Sequence, residues 1–280
     1  MGRRSPLLVS LASVTVLMSG ACSSGSHPSA SSASTPAGAV SSSPPSSPSA
    51  AAPSALSAAP AAEILRRSRN AAFAAGAVHE HATTTSGPDR SVFDQDDLTD
   101  RGIQRISVDA FRAVVIVVPG ATYVSGNDAA LTEYFGYPKA DLSVLSGRWL
   151  RLTPDDVGYD APTRSVTLPS SFDDVVVDSP LTVLPVTTKD GQAAVGVHGR
   201  IRPPAGHVGP PVVATLWVSD SATDPLPIEY DASSADMTLT NVFTHWGAKT
   251  LVTAPTSFVT PADLPAPLVG GNGAPGGGTT

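Results

Sequence analysis

The chain has 280 residues, including 27 Pro and 24 Gly, a turn-rich composition that still falls short of wholesale disorder. With 17 basic against 24 acidic residues, a net charge of −7 and no basic stripe, it is poorly suited to a phosphate backbone, which excludes nucleic acid as a default partner. Its single cysteine, Cys22, excludes an intramolecular disulfide, a Cys-based zinc site and an iron–sulfur cluster.

The amino terminus reads as an address. Arg3 and Arg4 precede an apolar stretch from Leu7 to Met18, and the small residues Ser19, Gly20 and Ala21 lead to Cys22. A basic end, a short apolar core and small residues make an export signal, residues 1–22, too short to span a bilayer as a mature helix. Ser19-Gly20-Ala21-Cys22 resembles the lipobox of bacterial lipoproteins, with Ser19 standing where an aliphatic residue is usual. That resemblance implies acylation of Cys22 and tethering to the outer face of the cytoplasmic membrane, where two or more acyl chains hold stably and one does not. The other reading is cleavage near Cys22 without acylation. Arg3-Arg4 only weakly imitates a twin-arginine signal, because Pro6 occupies a position that wants a large apolar residue.

Residues 23–60 are nearly all Ser, Ala and Pro. Such a stretch cannot bury enough apolar surface to offset its ordering entropy and reads as a linker. As a flexible coil it spans about 35 Å, and at most about 120 Å fully extended.

Residues 61–268 suffice for one domain with a sizeable core. Ala61 to Ala75 reads as a helix ended by Gly76. Strand patterns then dominate: Val78 to Thr85, Ile103 to Val108 paired with Phe111 to Val118 across Asp109-Ala110, and Ala121 to Ser125. Asn127 to Phe135 reads as a short helix with Asn127 or Asp128 as its cap. Gly147 to Leu152 follows as a strand and Ser170 to Val177 as a second short helix. Leu181 to Thr188 and Gln192 to Ile201 flank Lys189-Asp190-Gly191, a hairpin whose Asp-Gly supplies positive φ. Val212 to Val218, Ile228 to Ala232 and Met237 to Trp246 complete a meander. A helix followed by hairpin-linked strands predicts an α+β fold with one large antiparallel sheet. The Gly-rich residues 269–280 read as a frayed tail.

Ala113 to Val118 is apolar at six consecutive positions, so both faces of that strand need cover. The cover is either a second layer from helices or a long loop, or the dry concave face of a ligand-sized space.

Several segments fall in a familiar order. They are Ala77-Val78-His79, Gly147-Arg148-Trp149-Leu150, the Lys189-Asp190-Gly191 hairpin, Leu216-Trp217-Val218-Ser219, Asp224 to Tyr230, Phe243-Thr244-His245-Trp246-Gly247 and Ala254-Pro255. Over most of residues 62–255 the chain resembles the mycobacterial LppX/LprAFG lipoproteins and, more distantly, the LolA/LolB lipoprotein carriers. The resemblance implies a curved antiparallel half-barrel wrapped over a few helices around a hydrophobic cavity. It also implies non-catalytic binding or transfer of an acylated lipid or glycolipid in the cell envelope, or docking of an envelope protein. On that shape the cavity-lining positions are Val115, Val117, Leu150, Leu152, Val195, Val197, Leu216, Val218, Leu239 and Phe243. A register slip of one residue would exchange all ten for their neighbours. The departure is Thr153 to Leu184, where Asp155, Asp156, Asp160, Asp173, Asp174 and Asp178 replace a more apolar lid. A relative that keeps the fold with a filled core, as a protein-interaction module, is the alternative.

Catalytic patterns are thin. His79 and His81 share one strand face, but a metal needs a third ligand that the sequence does not place; two solvent-facing histidines are the expectation. His198, His207 and His245 stand alone. No Gly-x-Ser-x-Gly elbow occurs, and no lysine has a serine three residues before it. Asp173-Asp174 are adjacent and point apart, unlike a hydrolytic carboxylate pair. Trp149, Trp217 and Trp246 are expected to pack in the sheet rather than stack sugars. No enzyme, cofactor or metal centre is indicated.

Overall fold

The computed structural model describes residues 55–164, 166–201 and 211–265. Cys22, the export signal, most of the expected linker, His207 and the Gly-rich tail lie outside them. The elements, in chain order, are α1 (Ala61–Ala75), β1 (Ala77–Ser86), β2 (Asp89–Leu98), β3 (Gly102–Val108), β4 (Phe111–Val118), β5 (Ala121–Gly126), α2 (Leu142–Leu145) and β6 (Leu150–Leu152). After these come α3 (Asp160–Thr163), α4 (Leu168–Asp174), β7 (Asp178–Lys189), β8 (Gln192–Ile201), β9 (Val212–Ser219), β10 (Pro227–Ser233) and β11 (Met237–Thr244). No helix among the described residues is long and apolar enough to cross a membrane.

The strands form one open 11-stranded antiparallel sheet in the order β6-β5-β4-β3-β2-β1-β11-β10-β9-β8-β7, the α+β fold with one large antiparallel sheet that the sequence predicts and the curved open sheet that the family resemblance implies. Two meanders build it, β1 to β6 and β7 to β11, and the first and last strands meet at its centre, with His79 opposite Thr244 and Ser86 opposite Met237. To pass from β6 at one edge to β7 at the other, the chain must cross the sheet. It does so over one face, called here the inner face, through α3 and α4.

Local chemistry sets the boundaries. α1 ends at Gly76, whose φ of 73° is left-handed and whose N–H donates to the Ala72 carbonyl, as a helix C-cap requires. The β3–β4 turn places Asp109 at φ 46°, and the β7–β8 turn places Asp190 at 46° and Gly191 at 73°. The segment after β5 starts where Asn127 Oδ1 accepts the Ala130 N–H at 2.9 Å, but continues as a π-helical turn over Ala130–Tyr134. The strand expected at Gly147 shortens to Leu150–Leu152, and the helix expected at Ser170–Val177 lies at Leu168–Asp174, opened by Thr167 and Ser170 as a capping box.

β4 is covered on both sides. Ala113, Val115 and Val117 pack inward with Val124, Ala130 and Val166. On the outer face, Ile116 packs with Tyr123, Val252, Ile103 and Trp149. Val252 belongs to the segment after β11, which also pairs with the β6 region: Val259 N–H donates to the Trp149 carbonyl, and Arg151 N–H to the Val259 carbonyl, both at 2.8 Å. A second layer therefore covers the outer side of the apolar run. The core also begins earlier than the expected linker boundary at residue 60. Leu56 is fully buried in the cluster under α1, where burial of its side chain acts together with the two hydrogen bonds from Ser57 to Asp220 against the ordering entropy of the turn Leu56–Ala58.

Candidate functional site

All ten positions named as cavity-lining fall on the inner face. Register fixes this: Val115 stands opposite Val124, which stands opposite Leu150, while Val195 stands opposite Val218 and Val197 opposite Leu216. All ten are between 0% and 7% exposed, so they adjoin almost no space that water can enter. They do not form one surface. Val195, Val197, Leu216, Val218, Leu239 and Phe243 pack with Ile64 and Ala72 of α1 and Leu168 and Phe172 of α4. Val115 and Val117 belong to a second cluster, and Leu150 and Leu152 to a third with Leu131, Leu145 and Val259. Of the ten, Phe243 alone also lines a space at the rim, of about 220 Å³, together with Asp190, Asp224, His245 and Trp246. That volume is below the usual 300–1,000 Å³ of a small-molecule pocket. A shallow depression of about 390 Å³ lies between Gly76, Leu98 and Leu251.

The clusters are divided by a polar island at the middle of the inner face. Glu80 and Asp97 are 3% and 0% exposed, and Gln95, Ser171 and Asn241 are also buried. Asn241 Nδ2 donates to Glu80 Oε2 at 2.7 Å. Ser171 Oγ, on α4, lies 3.0 Å from Glu80 Oε1 and in short contact with Asp97 Oδ2. Gln95 Nε2 donates to Asp97 Oδ2 at 2.9 Å and to Ser171 Oγ at 3.1 Å. Gln104 Nε2 donates to Gln95 Oε1 at 2.6 Å. Burial pushes both carboxyls above the usual carboxylate range; Asp97 is raised further by the Glu80 charge, and Glu80 by that of Asp174. Among the described residues, Asp97 Oδ1, Asn241 Oδ1 and, on α1, Ser68 Oγ have no hydrogen-bond partner.

Sequence reasoning did not find this island. Glu80 entered only as the middle of His79-Glu80-His81, although alternation places it on the face of Val78 and Ala82, which is the signal that it points inward. The histidines point outward. His79 Nδ1 lies 2.8 Å from Asp96 Oδ1, His81 Nδ1 lies 3.5 Å from Asp94 Oδ2, and Arg105 Nη1 lies 3.5 Å from Asp94 Oδ1. No group of three potential ligands is assembled to hold a metal among the described residues. His198 Nδ1 is 3.0 Å from Thr215 Oγ1, and the exposed His245 makes a T-shaped ring contact with His79. Asp173 is exposed and pairs with Arg69 at 3.0 Å. The tryptophans pack as expected: Trp149 in the outer cluster, Trp246 against Phe243 and Phe172, and Trp217 under the Lys189 ammonium with its Nε1–H on Asp231.

No family model matches the chain, and no curated protein matches it. Among solved structures it is similar to LprF from Mycobacterium bovis, at 16% identity and a TM-score of 0.47 over 70% of this chain and 96% of that one. It is similar to LppX from Mycobacterium tuberculosis at 13% identity and a TM-score of 0.44, over 69% of this chain and 98% of that one. The MucA/MucB complex of Pseudomonas aeruginosa matches at 15% identity and a TM-score of 0.34, over 67% of this chain and 56% of that one. The mycobacterial lipoproteins that the sequence resembles are thus among the solved structures to which this open antiparallel sheet is similar.

Proposed function

We propose that the chain is an exported, Cys22-anchored, non-catalytic envelope protein that captures an acylated lipid or glycolipid on the inner face of the β7–β11 half of the sheet. Residues of α1 and α4 pack on that face. The observation that carries this reading is the nature of the cover. An apolar surface made by Val195, Val197, Leu216, Val218, Leu239 and Phe243 is roofed by one 15-residue helix and one 7-residue helix. The residues of α1 that are fully buried are Ile64, Ser68 and Ala72, only one of them large and apolar. Lifting the roof exposes Ile64, Leu168 and Phe172, at about 1.5–3 kcal/mol each, whereas each acyl methylene removed from water contributes about 0.8 kcal/mol, so a dozen supply about 10 kcal/mol gross before ordering costs.

The test is native mass spectrometry with organic extraction on the Cys22→Ala chain expressed for export, so that any lipid found is bound and not attached. A stoichiometric acylated species supports capture and identifies the ligand class. A clean protein mass, unchanged after incubation with envelope-lipid vesicles, rejects it.

The filled inner face itself favours a second reading, a protein-interaction module on the same scaffold. That reading expects no co-purifying lipid and a defined envelope partner.

A further inference from the structure

A serine hydroxyl carries one proton. Ser171 Oγ nevertheless lies within hydrogen-bonding reach of two carboxyls, Glu80 and Asp97, while accepting from Gln95. It can donate to only one carboxyl. The other must bring its own proton, so the closed arrangement requires at least one un-ionised carboxyl. Neither group has a cation within the island. Its other members, Gln95, Gln104 and Asn241, are neutral, as is Ser68 of α1. α4 adds a further negative charge, Asp174, which acts on Glu80. The cation that α1 brings to α4, Arg69, is engaged by the Phe172 carbonyl and the Asp173 carboxylate. His79 and His81 neighbour Glu80 in sequence but point to the outer face, toward Asp96 and Asp94.

The position of Ser171 gives the arrangement leverage. It is the polar buried residue of α4, the one helix of the crossover that packs in the main core through Leu168 and Phe172. Its tie to β1 and β2 holds the roof over the inner face.

We propose that Glu80, Asp97 and Ser171 form a proton-held latch: with a proton retained between the two carboxyls, Ser171 ties α4 to the sheet, and loss of that proton sets two like charges against one hydroxyl and frees α4. The closed state binds more protons than the open one. Closure is therefore complete below the ordinary values of 3.8 and 4.5 for the two carboxyls, and weakens as pH rises through their elevated values in the closed state. Over that window the opening constant rises by up to about tenfold per pH unit for each proton released. The inference rests on α4 being part of the removable roof in the reading above, and adds the signal that lifts it.

Hydrogen exchange of the whole chain, corrected for intrinsic exchange rates, reads the latch without any lipid. In the wild type, protection of the amides at residues 168–175 is expected to fall about tenfold or more between about pH 5 and about pH 8. In Glu80→Gln, whose amide is neutral at every pH, the same amides should depend on pH less steeply than in the wild type, because Asp97 alone is left to release a proton and no longer faces the Glu80 charge. A flat wild-type profile overturns the latch, as does a Glu80→Gln profile as steep as the wild type. Asp97→Asn gives the same reading if Glu80→Gln does not fold. Infrared titration of the wild-type protein supplies a third: a buried un-ionised carboxyl band must persist after the exposed carboxyls have ionised, and its absence overturns the proposal. Failure here leaves lipid capture standing, and failure of the mass-spectrometric test leaves the latch standing, because neither measurement uses the other's readout.

Discussion

The backbone N–H of Ser57 donates to Asp220 Oδ1 at 2.8 Å, across 163 residues of chain. The Ser57 hydroxyl donates to the other oxygen of the same carboxylate at 3.2 Å. This fork fastens the end of the Ser/Ala/Pro-rich segment to the loop after β9 and seats Leu56, fully buried, in the core cluster. The Ser/Ala/Pro-rich segment thus enters the domain before α1, with Leu56 in the same cluster as the α1 residues that cover the inner face.

Leu56→Ala is therefore expected to cost about 2–5 kcal/mol, the range for a fully buried leucine that leaves a cavity. Urea unfolding at constant m-value measures it. A loss below about 0.5 kcal/mol, as for a surface change, would show that the turn Leu56–Ala58 is not part of the cooperative unit. Deletion of residues 1–60 should cost at least as much as Leu56→Ala.

Gly102 marks a close approach between sheet and crossover. A Cβ there would stand 1.8 Å from the Val166 carbonyl oxygen and 3.1 Å from that of Asp96. Both obstacles are backbone, so no side chain can swing aside. Gly102→Ala should cost about 1–3 kcal/mol or more through displacement of the crossover. The loss should be accompanied by faster exchange in α4, and an unchanged melting temperature would contradict the packing of Val166 on β3.

Much of the sheet could be read from the chain because its periodicity, turns and caps agree. Ala61–Ala75 with Gly76, the Asp109 turn and the Lys189-Asp190-Gly191 hairpin each carry their own local chemistry. β2 carried none. Asp89, Asp94, Asp96 and Asp97 disfavour a strand by propensity, and what fixes it is not local. Outward, Asp94 and Asp96 face His79, His81 and Arg105 on the neighbouring strands; inward, Gln95 and Asp97 meet Ser171 from a helix more than 70 residues on. The inner positions of the strands were legible because alternation is strict where one face is buried. What fills the space above them was not, since it depends on where the crossover runs.

Cys22 carries the anchoring prediction. The full-length protein expressed for export should partition into the detergent phase of a temperature-induced phase separation. Cys22→Ser should move it to the aqueous phase with no change in unfolding midpoint, because the anchor holds by acyl chains alone. Equal partitioning of the two would remove the acylation reading of Ser19-Gly20-Ala21-Cys22.

Ser68 offers the sharpest separation of stability from uptake. It is fully buried on the sheet-facing side of α1, and its hydroxyl has no partner among the described residues. Burying an unpaired hydroxyl is unfavourable, and Ala is also the better helix former. Ser68→Ala should therefore stabilise the protein by about 1 kcal/mol, raising the melting temperature by about 2–4 °C for a domain of this size. If α1 must lift for an acyl chain to enter, the same stabilisation of the closed state should weaken uptake by about fivefold, since a ligand that binds only the open state feels the whole change in the opening equilibrium. Uptake of a fluorescent acyl probe by both proteins at one pH makes the comparison. A more stable variant with unchanged uptake would place the acyl site elsewhere than beneath α1.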